Sequence, residues 1–158
     1  MTWAALETGA PELAREGWAR FARTRVALLG TLRADGSPRI SPIEPYHLAG
    51  QLILAAMSSP KLDDLRRDPR VALHSSVSDI NGTEGEFKVT GRAVPTDDPA
   101  IVDAPDTWWT GRPRDRFEIF VVEIAEAILV RWCTDMNRMQ TLRWASSGGA
   151  VERERQYP

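Results

Sequence analysis

Two turns, each too short to hold a crossover, constrain this chain more than any other feature. Ala34-Asp35-Gly36 separates residues 25–33 (RVALLGTLR) from residues 38–48, and Ala49-Gly50 separates that second run from residues 51–57. Asp-Gly between strand-like runs is a hairpin signal. Parallel strands need connections of a dozen residues or more, so these three strands run antiparallel. Parallel nucleotide-binding α/β folds are therefore disfavoured, and no glycine-rich phosphate fingerprint is present. The pattern predicts about seven strands with only short helices between them, a mainly β fold closing as a small antiparallel barrel.

The rest of the chain fits that frame. Residues 11–23 place Leu13, Ala14, Gly17, Trp18 and Phe21 on one helical stripe, with Pro11 in the first turn. Residues 25–33 are apolar at both alternations, as expected of a strand buried on both faces. The second strand, residues 38–48, contains Pro42 and Pro45, so it must lie at an edge, bend, or stop pairing there. Residues 51–57 form a third strand. Ser58 or Ser59 caps a helix over residues 60–67, which Asp68-Pro69 ends. Residues 70–76 make a fourth strand, residues 79–85 a polar loop, and residues 86–95 a fifth strand of alternating polarity. Asp97-Asp98-Pro99 opens a short helix carrying Ile101 and Val102, and an irregular segment with Trp108 and Trp109 follows. Residues 116–123 and 127–133 are two further strands. Residues 142–145 are a short last one, and residues 146–149 turn toward a charged tail. No repeat or linker divides the 158 residues, which are expected to form a single domain.

Composition narrows the function classes. The net charge of −2 gives no global basic field for nucleic acid or an anionic membrane. One cysteine, Cys133, excludes an internal disulfide and a multi-cysteine zinc site, and is expected to be a small buried residue. The apolar runs fall short of a membrane span and the first residues are not signal-like, so a cytoplasmic location is expected. His47 and His74 are the only histidines, without metal-ligand spacing; a catalytic metal is not expected, and His74 reads as a hydrogen-bonded core residue. No G-x-S-x-G elbow marks a nucleophile.

The residues that suggest chemistry surround the second helix. Lys61 is one of only two lysines in a chain that otherwise uses arginine, and it stands just inside a helix start beside Ser58 and Ser59. Helix-opening N–H groups, two hydroxyls and a cation suit a phosphate held against a sheet. Arg39 and Ser41 alternate on one face of the second strand and can converge on the same anion. The competing interpretation makes Lys61 a solvated residue paired with Asp64 or Asp68, and the Arg39–Ser41 face a polar surface open to water.

Three blocks together, ALLGTLRADGSPRISP (27–42), SPKLDDLRRDPRVAL (59–73) and FKVTGRA (87–93), resemble the pyridoxamine 5′-phosphate oxidase-like superfamily. This is the flavin- and deazaflavin-binding split β-barrel group abundant in actinobacteria. The resemblance implies a dimeric split barrel binding FMN, or the deazaflavin F420, in a cleft between subunits. By the same resemblance Lys61 contacts the cofactor phosphate, and Arg39, Ile40 and Ser41 run beside phosphate and ring. Ala56, Met57 and Ser58 would line the ribityl side, and Trp144 from the partner's C-terminal segment would pack near the ring. Two departures stand out. Pro60 occupies the place of an arginine that precedes the phosphate lysine in the true oxidase, and the C-terminal arginine and histidine set for pyridoxal phosphate has no counterpart. Both argue against oxidation of pyridoxamine phosphate itself.

The implied function is an FMN- or F420-dependent oxidoreductase, with hydride transfer to or from a small molecule through the cofactor ring. The alternative is a non-catalytic protein that stores, sequesters or senses a flavin, deazaflavin or tetrapyrrole, its pocket closed by Trp108, Trp109 or Trp144. A third is a barrel that only dimerises.

Overall fold

The computed structural model of the chain describes residues 1–133 and 137–156, and the side-chain environment of Cys133 lies outside that description. Two helices come first. Helix α1 (Trp3–Gly9) is capped by Thr2, whose hydroxyl oxygen accepts from the Ala5 N–H at 3.1 Å. Helix α2 (Pro11–Thr24) follows with Pro11 in its first turn, and ends where Arg25 adopts a left-handed φ of 58°. The expected stripe of α2 is buried at Leu13, Ala14, Gly17 and Phe21. Gly17 allows close approach, because a Cβ there would lie 2.4 Å from the Phe87 ring.

Strand β1 (Ala27–Leu32) pairs with β2 (Pro38–Ile43) across the Asp35-Gly36 turn, where Gly36 has φ 82°. β1 is buried on one face rather than two. Ala27, Leu29 and Thr31 point inward, and Leu28 is exposed on the other face. The expected strand over residues 38–48 is divided at Glu44. β2 ends there, and β3 (Pro45–Leu48) begins a new pairing with β4 (Gln51–Met57) across the Ala49-Gly50 turn, both residues of which have positive φ. The prolines thus mark a change of partner.

Helix α3 (Pro60–Arg67), β5 (Arg70–Ser75), β6 (Glu86–Pro95) and the short helix α4 (Pro99–Val102) follow, α4 capped by Asp98. A 3₁₀ turn (Arg114–Arg116) leads into β7 (Phe117–Cys133), one strand of 17 residues where two were expected. Its register against β6 shifts at Thr90/Gly91, leaving Ala125 as an extra residue. That bulge lets one strand bend through the sheet. Gly91 sits beside it because a Cβ would meet the Glu123 carbonyl at 2.1 Å. β8 (Arg138–Ala145) pairs with the second half of β7, and the expected charged tail is a strand, β9 (Gly149–Gln156), on its far side. Every β9 residue is exposed, so backbone pairing rather than burial holds it.

The main sheet runs β2-β1-β5-β6-β7-β4-β3, all antiparallel. Its two ends, β2 and β3, are joined by Glu44 alone, so the sheet must curl until its edges meet. This is the antiparallel barrel that the turns predict, split as the family resemblance implies, with nine strands among the described residues in place of about seven. Two cores fill it. Leu52, Leu54 and Ala56 of β4 face the main core with Phe21, Leu29, Phe87 and Phe120, while Ile53 and Ala55 face a second one with Ile101, Trp109 and Phe117. A strand between two cores must be apolar at both alternations, as β4 is.

Candidate functional site

The ends of β2 and β4, the start of α3 and the segment between α4 and the 3₁₀ turn enclose a cleft of about 480 Å³. Pro42, Ile43 and Glu44 line it from the end of β2 and its join to β3, Met57, Ser58, Ser59 and Lys61 from the end of β4 and the start of α3, and Trp108 and Arg112 from the segment before the 3₁₀ turn. Lys61 enters as the second residue of α3. Its Nζ donates to the Pro42 carbonyl at 2.7 Å, which aims the side chain back across the end of β2. Burial lowers its pKa below the usual lysine value.

The acids that would neutralise Lys61 are engaged elsewhere. Asp64 is buried, and its Oδ2 accepts from Thr31 Oγ1 at 2.9 Å and Arg39 Nε at 2.6 Å, its Oδ1 from Arg67 Nη2 at 3.0 Å. Burial alone would raise its pKa, but the hydrogen bonds from Arg39, Arg67 and Thr31 outweigh that and lower it. Asp68 is held at about 2 by hydrogen bonds from Arg70. Among the described residues Lys61 therefore has no carboxylate partner, contrary to the solvated-pair interpretation. Its hydrogen-bond partner, the Pro42 carbonyl, is neutral, so the Lys61 charge is not compensated by an acid among the described residues.

The nine residues singled out from sequence fall in four places. Met57, Ser58, Ser59 and Lys61 meet at the cleft. Ser59 is the N-cap residue of α3, but its hydroxyl donates back to the Met57 carbonyl at 2.8 Å instead of capping. Arg39 and Ser41 share the inward alternation of β2, where Arg39 is spent on Asp64 and bolts α3 to the strand. Ile40 points outward into solvent. Ala56 and Trp144 are buried in the main core of their own chain, Trp144 against Gly9, and neither lines the cleft. His74 is hydrogen-bonded as expected, to Glu86 at 2.9 Å and the Ser75 carbonyl at 2.6 Å, but it is half-exposed on the outer sheet face rather than in the core.

Arg112 is the cleft residue that sequence inspection passes over. It follows Gly111, whose φ of 73° turns the chain, and its guanidinium lies 5.7 Å from the Trp108 ring centroid. Nothing periodic marks this stretch; the only cue was the Trp-Trp and Gly-x-Pro punctuation.

The family model described as pyridoxamine 5′-phosphate oxidase matches residues 14–131. The chain belongs to this family. The match spans every element of the cleft. No curated protein matches the sequence. Solved structures of similar fold include PhzG from Burkholderia lata 383 in complex with tetrahydrophenazine-1-carboxylic acid. That one is 15% identical, with TM-score 0.65, and the alignment covers 94% of this chain and 93% of that one. A pyridoxamine 5′-phosphate oxidase-related, FMN-binding protein from Nostoc punctiforme PCC 73102 is 12% identical, with TM-score 0.62 and coverage of 95% and 96%. A heme-binding protein from Mycobacterium smegmatis is 15% identical, with TM-score 0.63 and coverage of 93% and 89%. At these identities the likeness to solved structures is one of fold, and the family is carried by the sequence match.

Proposed function

We propose that this chain is an FMN-binding oxidoreductase, acting as a homodimer on a small molecule. The observation that carries the proposal is Lys61, a partly buried cation with no carboxylate partner among the described residues, lining a cleft together with Ser58 and Ser59. These residues suit the phosphate of FMN: Lys61 supplies the charge and Ser58 stands within the same cleft as a hydroxyl donor, whereas the Ser59 hydroxyl already donates to the Met57 carbonyl. Met57 and Pro42 present apolar surface to a flat ligand. FMN, when bound, supplies the hydride chemistry, and the protein orients it and excludes water.

Homodimerisation draws support from the uncovered sheet face. Leu28 is 42% exposed, Ile40 73% and Met57 58%, and Pro42 stands directly opposite Leu28 in the β1–β2 register. A run of apolar side chains beside the cleft suits a second copy, which would complete the cleft walls. No helix among the described residues is long and apolar enough to cross a membrane; a cytoplasmic location remains part of the proposal.

The non-catalytic interpretation, binding a flavin, deazaflavin or tetrapyrrole, is favoured by the resemblance in fold to a heme-binding protein. It requires the ring face to be closed. Of the three tryptophans able to close it, Trp109 and Trp144 are buried in the two cores, which leaves Trp108. An open ring face supports an enzyme. The test is an absorption spectrum of the purified protein, then titration with FMN and with F420 under tryptophan fluorescence. A flavin spectrum or micromolar FMN binding is expected. Preference for F420 would change the cofactor, and binding of neither would reject the oxidoreductase.

A further inference from the structure

We propose that Arg112 is the second cation of the anion site that Lys61 opens, so that one phosphate monoester is held between the two side chains. The inference rests on the phosphate reading of the cleft given above. It adds a residue from a separate element, to which no role has been assigned.

Four observations converge on it. Arg112 lines the same cleft as Lys61, Ser58 and Ser59, from a separate segment of the chain. Its guanidinium lies over the Trp108 ring, itself part of the cleft lining, and pairs with no carboxylate among the described residues. Nearby arginines do pair: Arg114 with Asp97 at 3.0 Å, Arg66 with Glu118 at 2.7 Å, and Arg70 with Asp68 at 2.6 Å. Among the described residues the one acid lining the cleft, Glu44, accepts from the Tyr46 hydroxyl at 3.0 Å and makes no ion pair with either cation. Finally, both cations sit on anchored elements. The Asp64 cluster fixes α3, and the segment before Arg112 is fixed by buried Trp109, by Thr110 Oγ1 donating to the Ala104 carbonyl at 2.6 Å, and by the Arg112 N–H donating to the Trp109 carbonyl at 3.0 Å.

The chemistry fits the pair. A phosphate monoester carries between one and two negative charges at neutral pH and offers three acceptor oxygens. Lysine meets it as a point charge, whereas the planar guanidinium adds a two-pronged contact, so the two together discriminate a monoester from a neutral hydroxyl. Both cations stand on anchored backbone, which favours binding by limiting the ordering cost.

Equilibrium titration of the full chain with FMN and with riboflavin, which lacks the phosphate, tests the inference. The proteins compared are the wild type, Arg112→Gln and Arg114→Gln, each checked for an unchanged melting temperature. Arg112→Gln is expected to weaken FMN about tenfold or more while leaving riboflavin unchanged, and Arg114→Gln to leave both unchanged. Equal loss for both flavins would mean that Arg112 merely shapes the cleft, and no loss for either would remove it from the site; each result overturns the proposal. An equal FMN loss in Arg114→Gln would reduce the effect to general positive charge and overturn it too. If the wild type binds FMN no better than riboflavin, the phosphate reading of the whole cleft fails, a result distinct from failure at Arg112 alone.

Discussion

Replacing Asp64 with asparagine asks whether one buried carboxylate holds the start of α3 in place. Asp64 and Thr31 are each 3% exposed, and the Thr31 hydroxyl donates to Asp64. Asparagine keeps the shape but retains one acceptor oxygen and turns an amide N–H₂ toward donors. Thr31 has no water to turn to and exchanges a bond to a carboxylate for a neutral one to the amide, a loss of about 1 kcal/mol. Arg39 and Arg67 are partly exposed and can recover solvent, so each adds only about 0–1 kcal/mol. The sum is about 1–3 kcal/mol, or roughly 2–12 °C in melting temperature for a domain of this size. The pH dependence has a definite sign. Burial opposes ionisation of Asp64, but its hydrogen bonds prevail and hold the folded carboxyl below its unfolded value. Its stabilisation is therefore complete above the unfolded pKa of about 4 and disappears as pH falls through the lower folded value. Thermal melts of wild type and Asp64→Asn should differ fully at pH 7 and converge in acid. Thr31→Val, costly in the wild type, should cost little more once Asp64 is gone. A variant melting within about 1 °C of wild type at pH 7, or additive costs for the two substitutions, would refute the account.

Lys61→Ala should weaken FMN binding by about 1–3 kcal/mol without lowering the melting temperature, measured by fluorescence titration; unchanged affinity in a folded variant would remove Lys61 from the phosphate site. Gly17→Ala gains helix propensity of about 1 kcal/mol but forces a methyl into the Phe87 ring, so a net loss of about 1–2 kcal/mol is expected by denaturant unfolding. Gly91→Ala should cost more than Gly17→Ala in the same assay, because the atom it meets is the Glu123 backbone carbonyl, which cannot swing aside. Trp109→Ala should lose about 3–5 kcal/mol, and a loss under 1 kcal/mol would show that the second core contributes little.

The barrel was legible because its signals are local. Asp35-Gly36 and Ala49-Gly50 each specify a turn within a few residues, and Pro42 and Pro45 marked where β2 gives way to β3. The elements that escaped lack such signals. Helix α1 is only seven residues long and β9 buries nothing, so neither has a hydrophobic period to read. The bulge at Ala125 is invisible until β6 is laid beside β7. In the cleft, the Ser58–Lys61 cluster was readable because it is contiguous. The burial of Trp144 depends on the pairing of β7 with β8 and on α1, which no local pattern carries. Arg39 was read as reaching for a ligand; only the fold shows that Asp64 claims it.

The single-residue join at Glu44 carries a consequence for dynamics. The cleft lies across that seam, with β2 on one side and β4, partner of β3, on the other. A molecule seated there would act as a rivet between two sheet margins that share no ladder of their own. Amide exchange in β2 and β3 should therefore be the first to slow when the cleft fills, well ahead of β6 and β7 at the middle of the sheet.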